Sequence, residues 1–355
     1  MSQAAWTEEL RSALATNLES FLATKRDEAA ALSPRSVALV EQVTSLTMRG
    51  GKRLRPIVLT AAYRAVTGDG EFGPVVHAGA AMELLQTYLL IHDDWMDRDE
   101  ERRGGPSVFA ALRDEHGDAH LGASLAVLAG DLASAYASEL ITMAPFPAPR
   151  RDAGLGAFWR LQREAFFGQQ LDLVEAADRA RKMLPRTTPE ATQNVERMYD
   201  LKTGSYTVRG PVVLGALLGG ANDDAVDALT RWANPVGVAF QLRDELLGTF
   251  GDPRSTGKPT GGDLRQGKTT TLIAAGRGLL SASALPRLEA VLGNEDASNE
   301  DVAAVTELLR TSGAKRVVEE RLERLLADAA GALDDLPYDA TDLRMLTPML
   351  IDRDH

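Results

Sequence analysis

The sequence predicts an all-α protein, and three observations carry that prediction. Helix formers dominate, the sequence being rich in Ala, Leu, Glu and Arg, with only 5% aromatic residues. Apolar residues recur at helical spacing throughout, while strict apolar/polar alternation is scarce. No stretch marks a domain boundary, so residues 1–355 read as a single-domain helical bundle with a large core.

Composition also excludes. Without cysteine there are no disulfides or thiolate metal sites, which leaves any metal to oxygen donors or the few histidines. A formal charge of −12 argues against nucleic acid as a partner. No run of eighteen apolar residues occurs, and the start MSQAAWTEELRSALATNLESFL is amphipathic and too polar for a secretory signal. A soluble, cytoplasmic protein without a membrane anchor is expected.

Taken in order, residues 7–30 form a helix with a capped start at Thr7-Glu8-Glu9 and no candidate chemistry. Met48-Arg49-Gly50-Gly51-Lys52-Arg53-Leu54-Arg55-Pro56 follows. Paired glycines there permit tight backbone approach, and Lys52 and Arg55 suit a diphosphate. The same stretch also reads as a basic turn between helices.

Residues 83–107, ELLQTYLLIHDDWMDRDEERRGGPS, are the centre of the chain. An apolar helix runs into Asp93, Asp94 and Asp97, then Arg102, Arg103 and the turn signal Gly104-Gly105-Pro106. Gln86, Leu89, Asp93 and Asp97 share one stripe, and the Asp93 and Asp97 Cβ atoms are about 5–6 Å apart on a helix. Like charges so close call for a cation, and all-oxygen donors favour Mg2+ when phosphate oxygens complete the shell. The plainer alternative is a solvated acidic helix end.

Residues 121–140 contain LAGDLASAYA, in which Asp131 reads as a buried polar anchor. Residues 144–149, APFPAP, form a stiff connector between helices. Residues 166–173, FFGQQLDL, offer Gln169 and Asp172 either as ligand contacts or as core hydrogen-bonding groups. Residues 199–206, YDLKTGSY, contain Lys202, Thr203 and a glycine compatible with a kink. Residues 240–248, FQLRDELLG, precede the glycine-rich GDPRSTGKPTGGDLRQGKTT, whose Lys258 and Lys268 suit a lid that delivers ammonium groups. Beyond Thr269 the chain reads as helix without a further motif, and Arg353 is the one basic candidate at the C-terminus.

These motifs, in this order from about Gly50 to Lys268, resemble the trans-isoprenyl diphosphate synthases, the polyprenyl synthetase family. The resemblance rests on GGKRLRP, HDDWMD with RRG, GQQLDL, KT, and FQLRDE with its GDPRSTGKPTGGDLRQGK tail. It implies the isoprenoid synthase fold around a central cavity, homodimerisation, with residues 7–30 as a dimer contact or packing, and three Mg2+ ions held by Asp93, Asp97 and Asp244. It implies that Lys52, Arg55, Gln86 and Arg103 hold isopentenyl diphosphate, with Arg102, Lys258 and Lys268 as further substrate contacts. Lys202, Thr203 and Gln241 are the implied catalytic positions, on a locally irregular helix for the first two.

The implied reaction is magnesium-assisted ionisation of an allylic diphosphate and head-to-tail attack by isopentenyl diphosphate, with no protein nucleophile. The chain departs from the family's second acidic motif, with Glu245 keeping a charge on a longer arm and Gly248 supplying no ligand, so that water or Asp263 is left to help hold the third ion. That departure keeps a non-catalytic regulatory subunit in view. A class I terpene cyclase shares the first motif but needs no second diphosphate site. The product floor is implied at Leu89 and Tyr88; wheel arithmetic puts Leu89 about 40° and Tyr88 about 140° from Asp93, so the role of Tyr88 rests on resemblance. One aromatic there implies geranylgeranyl diphosphate, with farnesyl next and longer chains after it.

Overall fold

A computed structural model describes residues 3–68, 71–180, 195–251, 261–268 and 270–351. Among these the regular secondary structure is helical, apart from one antiparallel hairpin that pairs Glu101–Arg102 with Gly105–Pro106. The expected all-α class is what is found. The chain divides into two compact units, Met1–Ala157 with Val213–Asn222, and Phe158–Val212 with Asp223–His355.

The first unit holds α1 (Gln3–Leu32), α2 (Val37–Met48), α3 (Leu54–Thr67), α4 (Val76–Asp97), α5 (Val108–His116), α6 (Ala119–Met143) and the start of α7 (Ala148–Ala180). Helix α4 packs against α1, α2, α3, α5 and α6. Its residues from Ala78 to Thr87 are buried on every side, as expected of a helix apolar nearly all round. Helix α6 faces its neighbours with Gly122, Ala126, Ala129, Gly130, Ala133 and Ala137. A stripe of small residues lets two helix backbones approach closely.

Among the described residues α6 is the one helix long and apolar enough to cross a membrane, by length and composition. Helix α1 begins at Gln3, ahead of the expected cap at Thr7. Trp6 is fully buried and belongs to the same core face as Leu10, Leu14 and Leu18, so the helix continues back to include it. The proline-rich connector lies between α6 and α7, and Phe146 in it sets its ring edge-on to Tyr63, centroids 6.0 Å apart.

In the second unit a π-helical segment, Asp200–Arg209, leads into α8 (Gly210–Gly219), whose residues from Val213 on are counted with the first unit. After it come α9 (Asp223–Phe250), α10 (Gly262–Arg265), α11 (Thr271–Leu279), α12 (Leu285–Val291), α13 (Asn299–Thr311), α14 (Ala314–Asp334) and α15 (Thr341–Ile351). Helix α9 packs against α14, α11, α15 and the π-helical segment.

Candidate active site

In the first unit the acidic motif closes α4. Asp94 is fully buried, whereas Asp93 and Asp97 are half-buried. The Arg102 guanidinium binds Asp94 through Nε at 2.6 Å and also through Nη2, which reaches Asp99 Oδ2 at 2.7 Å. Burial pushes the Asp94 carboxyl up to about 6; Arg102 opposes the shift, and the charges of Asp93 and Asp99 add to it. Arg102, expected at the substrate, is thus committed to the motif's middle acid.

The basic loop and the hairpin grip each other. Arg49 Nη1 donates to the carbonyls of Arg102 at 3.2 Å and Pro106 at 2.7 Å. In return the Arg103 guanidinium lies over Gly51, where a Cβ would sit 3.7 Å from it, and its Nη1 donates to Leu46 O at 3.3 Å. Gly51 has φ +129°, closed to ordinary side chains, while Arg53 and Arg103 adopt left-handed φ of 51° and 52°. Arg53 is paired with the buried Glu83 of α4 and donates from Nη2 to Thr47 O at 2.9 Å. Burial lowers the pKa of Arg103, and the charges of Arg53, Arg55 and Arg102 add to this against the attraction of Glu83. Excess positive potential in a partly buried cradle is what an anion needs. Gln86, 6% exposed on α4, has an amide oxygen with no hydrogen-bond partner among the described residues.

Tyr88 meets His92 edge-on, centroids 4.7 Å apart, and burial with the charge of Asp131 pushes its phenol up to about 12. Asp131 is not the buried anchor expected of it. Its side chain is 61% exposed and 3.7 Å from His92 Nε2, while that nitrogen lies 3.1 Å from Val127 O. The small residues of α6 take the inward face, and Asp131 falls beside them.

In the second unit Lys202, Thr203 and Gly204 lie within the π-helical segment, which agrees with the irregular helix that was expected. A Cβ on Gly168 of α7 would come within 2.2 Å of the Lys202 nitrogen, so only glycine admits this backbone crossing. Lys202 Nζ then donates to Asp172 Oδ2 at 2.6 Å, so two positions from separate motifs form one ion pair.

On α9, Gln241 and Asp244 are half-buried, one turn apart. Glu245 is 2% exposed, and its Oε2 accepts from Leu272 N at 3.1 Å. Burial pushes the Glu245 carboxyl up to about 8; the hydrogen bonds from Tyr199 and Leu272 oppose that shift. The longer arm of Glu245 is thus turned into the interior, to the backbone N–H of Leu272. At Gly248 the space for a side chain is taken by Asp263, whose Oδ2 lies 3.1 Å from where Cβ would be. Lys268 Nζ is 3.7 Å from Asp263 Oδ1. Lys258 and Arg353 lie outside the described residues.

The family model for polyprenyl synthetase matches residues 37–309. The chain belongs to the polyprenyl synthetase family. A geranylgeranyl diphosphate synthase of Sulfolobus acidocaldarius is 34% identical over 275 residues, 77% of this chain and 77% of that protein. A (2E,6E)-farnesyl diphosphate synthase of Mycobacterium tuberculosis is 33% identical over 311 residues, 85% of this chain and 80% of the relative. The crystal structure of a geranylgeranyl pyrophosphate synthase from Corynebacterium glutamicum, complexed with isoprenyl diphosphate and magnesium, superposes with a TM-score of 0.88 at 31% identity, over 97% of this chain and 99% of that one.

The half-buried carboxylates Asp93 and Asp97 are oxygen donors of the kind a hard divalent ion takes, and among the described residues no group of three or more His, Asp or Glu is placed to hold a metal ion by itself. Magnesium is commonly held that way, by one or two carboxylates with substrate phosphates completing the octahedron. Sequence reasoning passed over the Arg49 latch, the Arg53–Glu83 pair and Tyr199. All three sit inside or beside quoted motifs, but their partners are distant in sequence.

Proposed function

We propose that the protein joins isopentenyl diphosphate head to tail to an allylic diphosphate, with geranylgeranyl diphosphate as product. The observation that supports this most is the cationic cradle of the first unit, where the Arg103 guanidinium lies over Gly51, next to Lys52 in the sequence, and feels the charges of Arg53 and Arg55. It gives the chain a diphosphate site apart from the acidic motif, which a terpene cyclase does not need.

Asp93 and Asp97 on α4 and Asp244 on α9 would hold the Mg2+ ions, three per site, with diphosphate oxygens completing their shells. Bound there, the ions neutralise charge on the leaving diphosphate. The chain's own residues do the rest. Lys202, Lys258 and Lys268 present ammonium groups to the allylic diphosphate. Thr203 and the irregular backbone around it turn oxygen dipoles to the developing cation, with Gln241 beside Asp244 on α9.

As the allylic carbon–oxygen bond opens, its electron pair leaves with the diphosphate. The alkene pair of isopentenyl diphosphate forms the new carbon–carbon bond, and a proton from the adjacent carbon passes to the released diphosphate. No protein nucleophile enters. Homodimer assembly and a cytoplasmic location belong to the same reading, and sedimentation and fractionation test them.

The deciding experiment incubates purified protein with Mg2+, isopentenyl diphosphate and each allylic starter, followed by chromatography of the dephosphorylated products. Geranylgeraniol is expected. Farnesol would place the chain functionally with its mycobacterial relative, and a long-chain prenol would overturn the product assignment. Turnover without isopentenyl diphosphate would indicate a cyclase, and no turnover by the lone protein a regulatory subunit.

A further inference from the structure

Three backbone N–H groups open α11, and three side chains from different places satisfy them. Thr270 takes Ile273 N at 3.2 Å, the ordinary N-cap bond. Tyr199 Oη accepts from Thr271 N at 3.2 Å, and Glu245 Oε2 accepts from Leu272 N at 3.1 Å. Tyr199 and Glu245 are themselves hydrogen-bonded, the phenol donating to the carboxyl. Both lie in the interior, at 5% and 2% exposure.

We infer that Glu245 is a positioning residue: it ties α9, and with it Asp244, to the start of α11 and, through Tyr199, to the π-helical segment carrying Lys202 and Thr203. Helix geometry explains the division of labour. Neighbouring residues are about 100° apart around a helix, so a half-buried Asp244 leaves Glu245 pointing inward. Tyr199 is the residue immediately before Asp200, where the π-helical segment begins. A shift of Glu245 is therefore passed to both the acidic motif and the Lys-Thr pair.

The arm length is decisive. Aspartate is one methylene shorter, about 1.5 Å. The 3.1 Å bond to Leu272 N would stretch beyond hydrogen-bonding range, and the interior would keep an unpaired amide and phenol. Glutamine keeps the length and an acceptor oxygen. A metal ligand would rank the two substitutions oppositely, since aspartate retains the charge and glutamine loses it.

The test compares Glu245→Asp, Glu245→Gln and Tyr199→Phe by kcat, KM, half-saturating Mg2+ and thermal midpoint. Glu245→Asp is expected to lose kcat on the order of ten- to hundredfold, the scale of a displacement near 1 Å, with KM for isopentenyl diphosphate unchanged. Glu245→Gln is expected to stay within about threefold of wild type with the same Mg2+ requirement, one hydrogen bond being the most it alters. Tyr199→Phe is expected to fall between them, and it carries the test should Glu245→Asp fail to fold.

An active Glu245→Asp, an inactive Glu245→Gln with a raised Mg2+ requirement, or a wild-type-like Tyr199→Phe would each overturn the inference. Its kinetic arm rests on the proposed prenyl transfer. The thermal arm does not: if wild type makes no product, a lower midpoint for Glu245→Asp than for Glu245→Gln still supports the tie, and the reverse order still sinks it.

Discussion

Asp94 and Glu245 hold the same place in the two acidic motifs and are equally buried, yet the protein keeps them by different means. Asp94 meets a guanidinium, from Arg102 of the hairpin. Glu245 meets dipoles, from Leu272 N and the Tyr199 hydroxyl. The carboxyl groups follow their surroundings, at about 6 beside the cation and about 8 without one. In both motifs the middle acid faces the fold and leaves its neighbour half-buried. The lesson is that a run of acidic residues divides into those left half-buried and those that anchor inward, and that burial separates the two.

Asp94→Asn should have the largest effect on stability. It leaves Arg102, 18% exposed, with Asp99 alone, and the loss should approach the lower end of the range for breaking a buried pair, about 3 kcal/mol in urea unfolding. Glu245→Gln should cost no more than about 1 kcal/mol, the scale of one hydrogen bond. Equal costs would break the comparison, since both acids would then be held by charge.

Next comes the cradle. Arg103→Ala removes both its cation and the side chain resting on Gly51, and should raise KM for isopentenyl diphosphate about tenfold or more, the scale of a lost charge-assisted hydrogen bond. Arg49→Ala leaves that cation in place but frees the hairpin carbonyls, and should raise KM by a smaller factor. A change in kcat alone for either variant would move the cradle's role away from binding.

A further effect is in pH. The folded-state pKa of Glu245 is raised from its ordinary 4.5 to about 8, so the native state holds a proton that the unfolded chain gives up. Its contribution to stability is fully present below about 4.5 and is lost as pH rises through about 8. The thermal midpoint of the metal-free wild type should decline across that window relative to Glu245→Gln. Parallel profiles would show that Glu245 does not titrate there.

Much of this was legible because it is local. Four-residue spacing put Asp93 and Asp97 on one helical stripe, and Gly104-Gly105-Pro106 marked the turn that the hairpin makes. What escaped depends on partners far along the chain. The inward face of Glu245 is set by Leu272 and Tyr199, and Glu83 was invisible as the partner of Arg53 thirty residues earlier. Asp131 was misread because helical periodicity does not say which edge of an alanine-rich stripe is covered. The π-helical segment came from resemblance, since its residues carry no periodic signature of their own.

The central claim, that the outer acids hold metal while the middle ones hold the helices, is tested most directly by Mn2+ binding in the presence of inorganic diphosphate, followed by electron paramagnetic resonance. Asp93→Asn and Asp244→Asn should each bind fewer ions than wild type, and Glu245→Gln as many. Loss of an ion in Glu245→Gln, with full binding retained by Asp244→Asn, would contradict it.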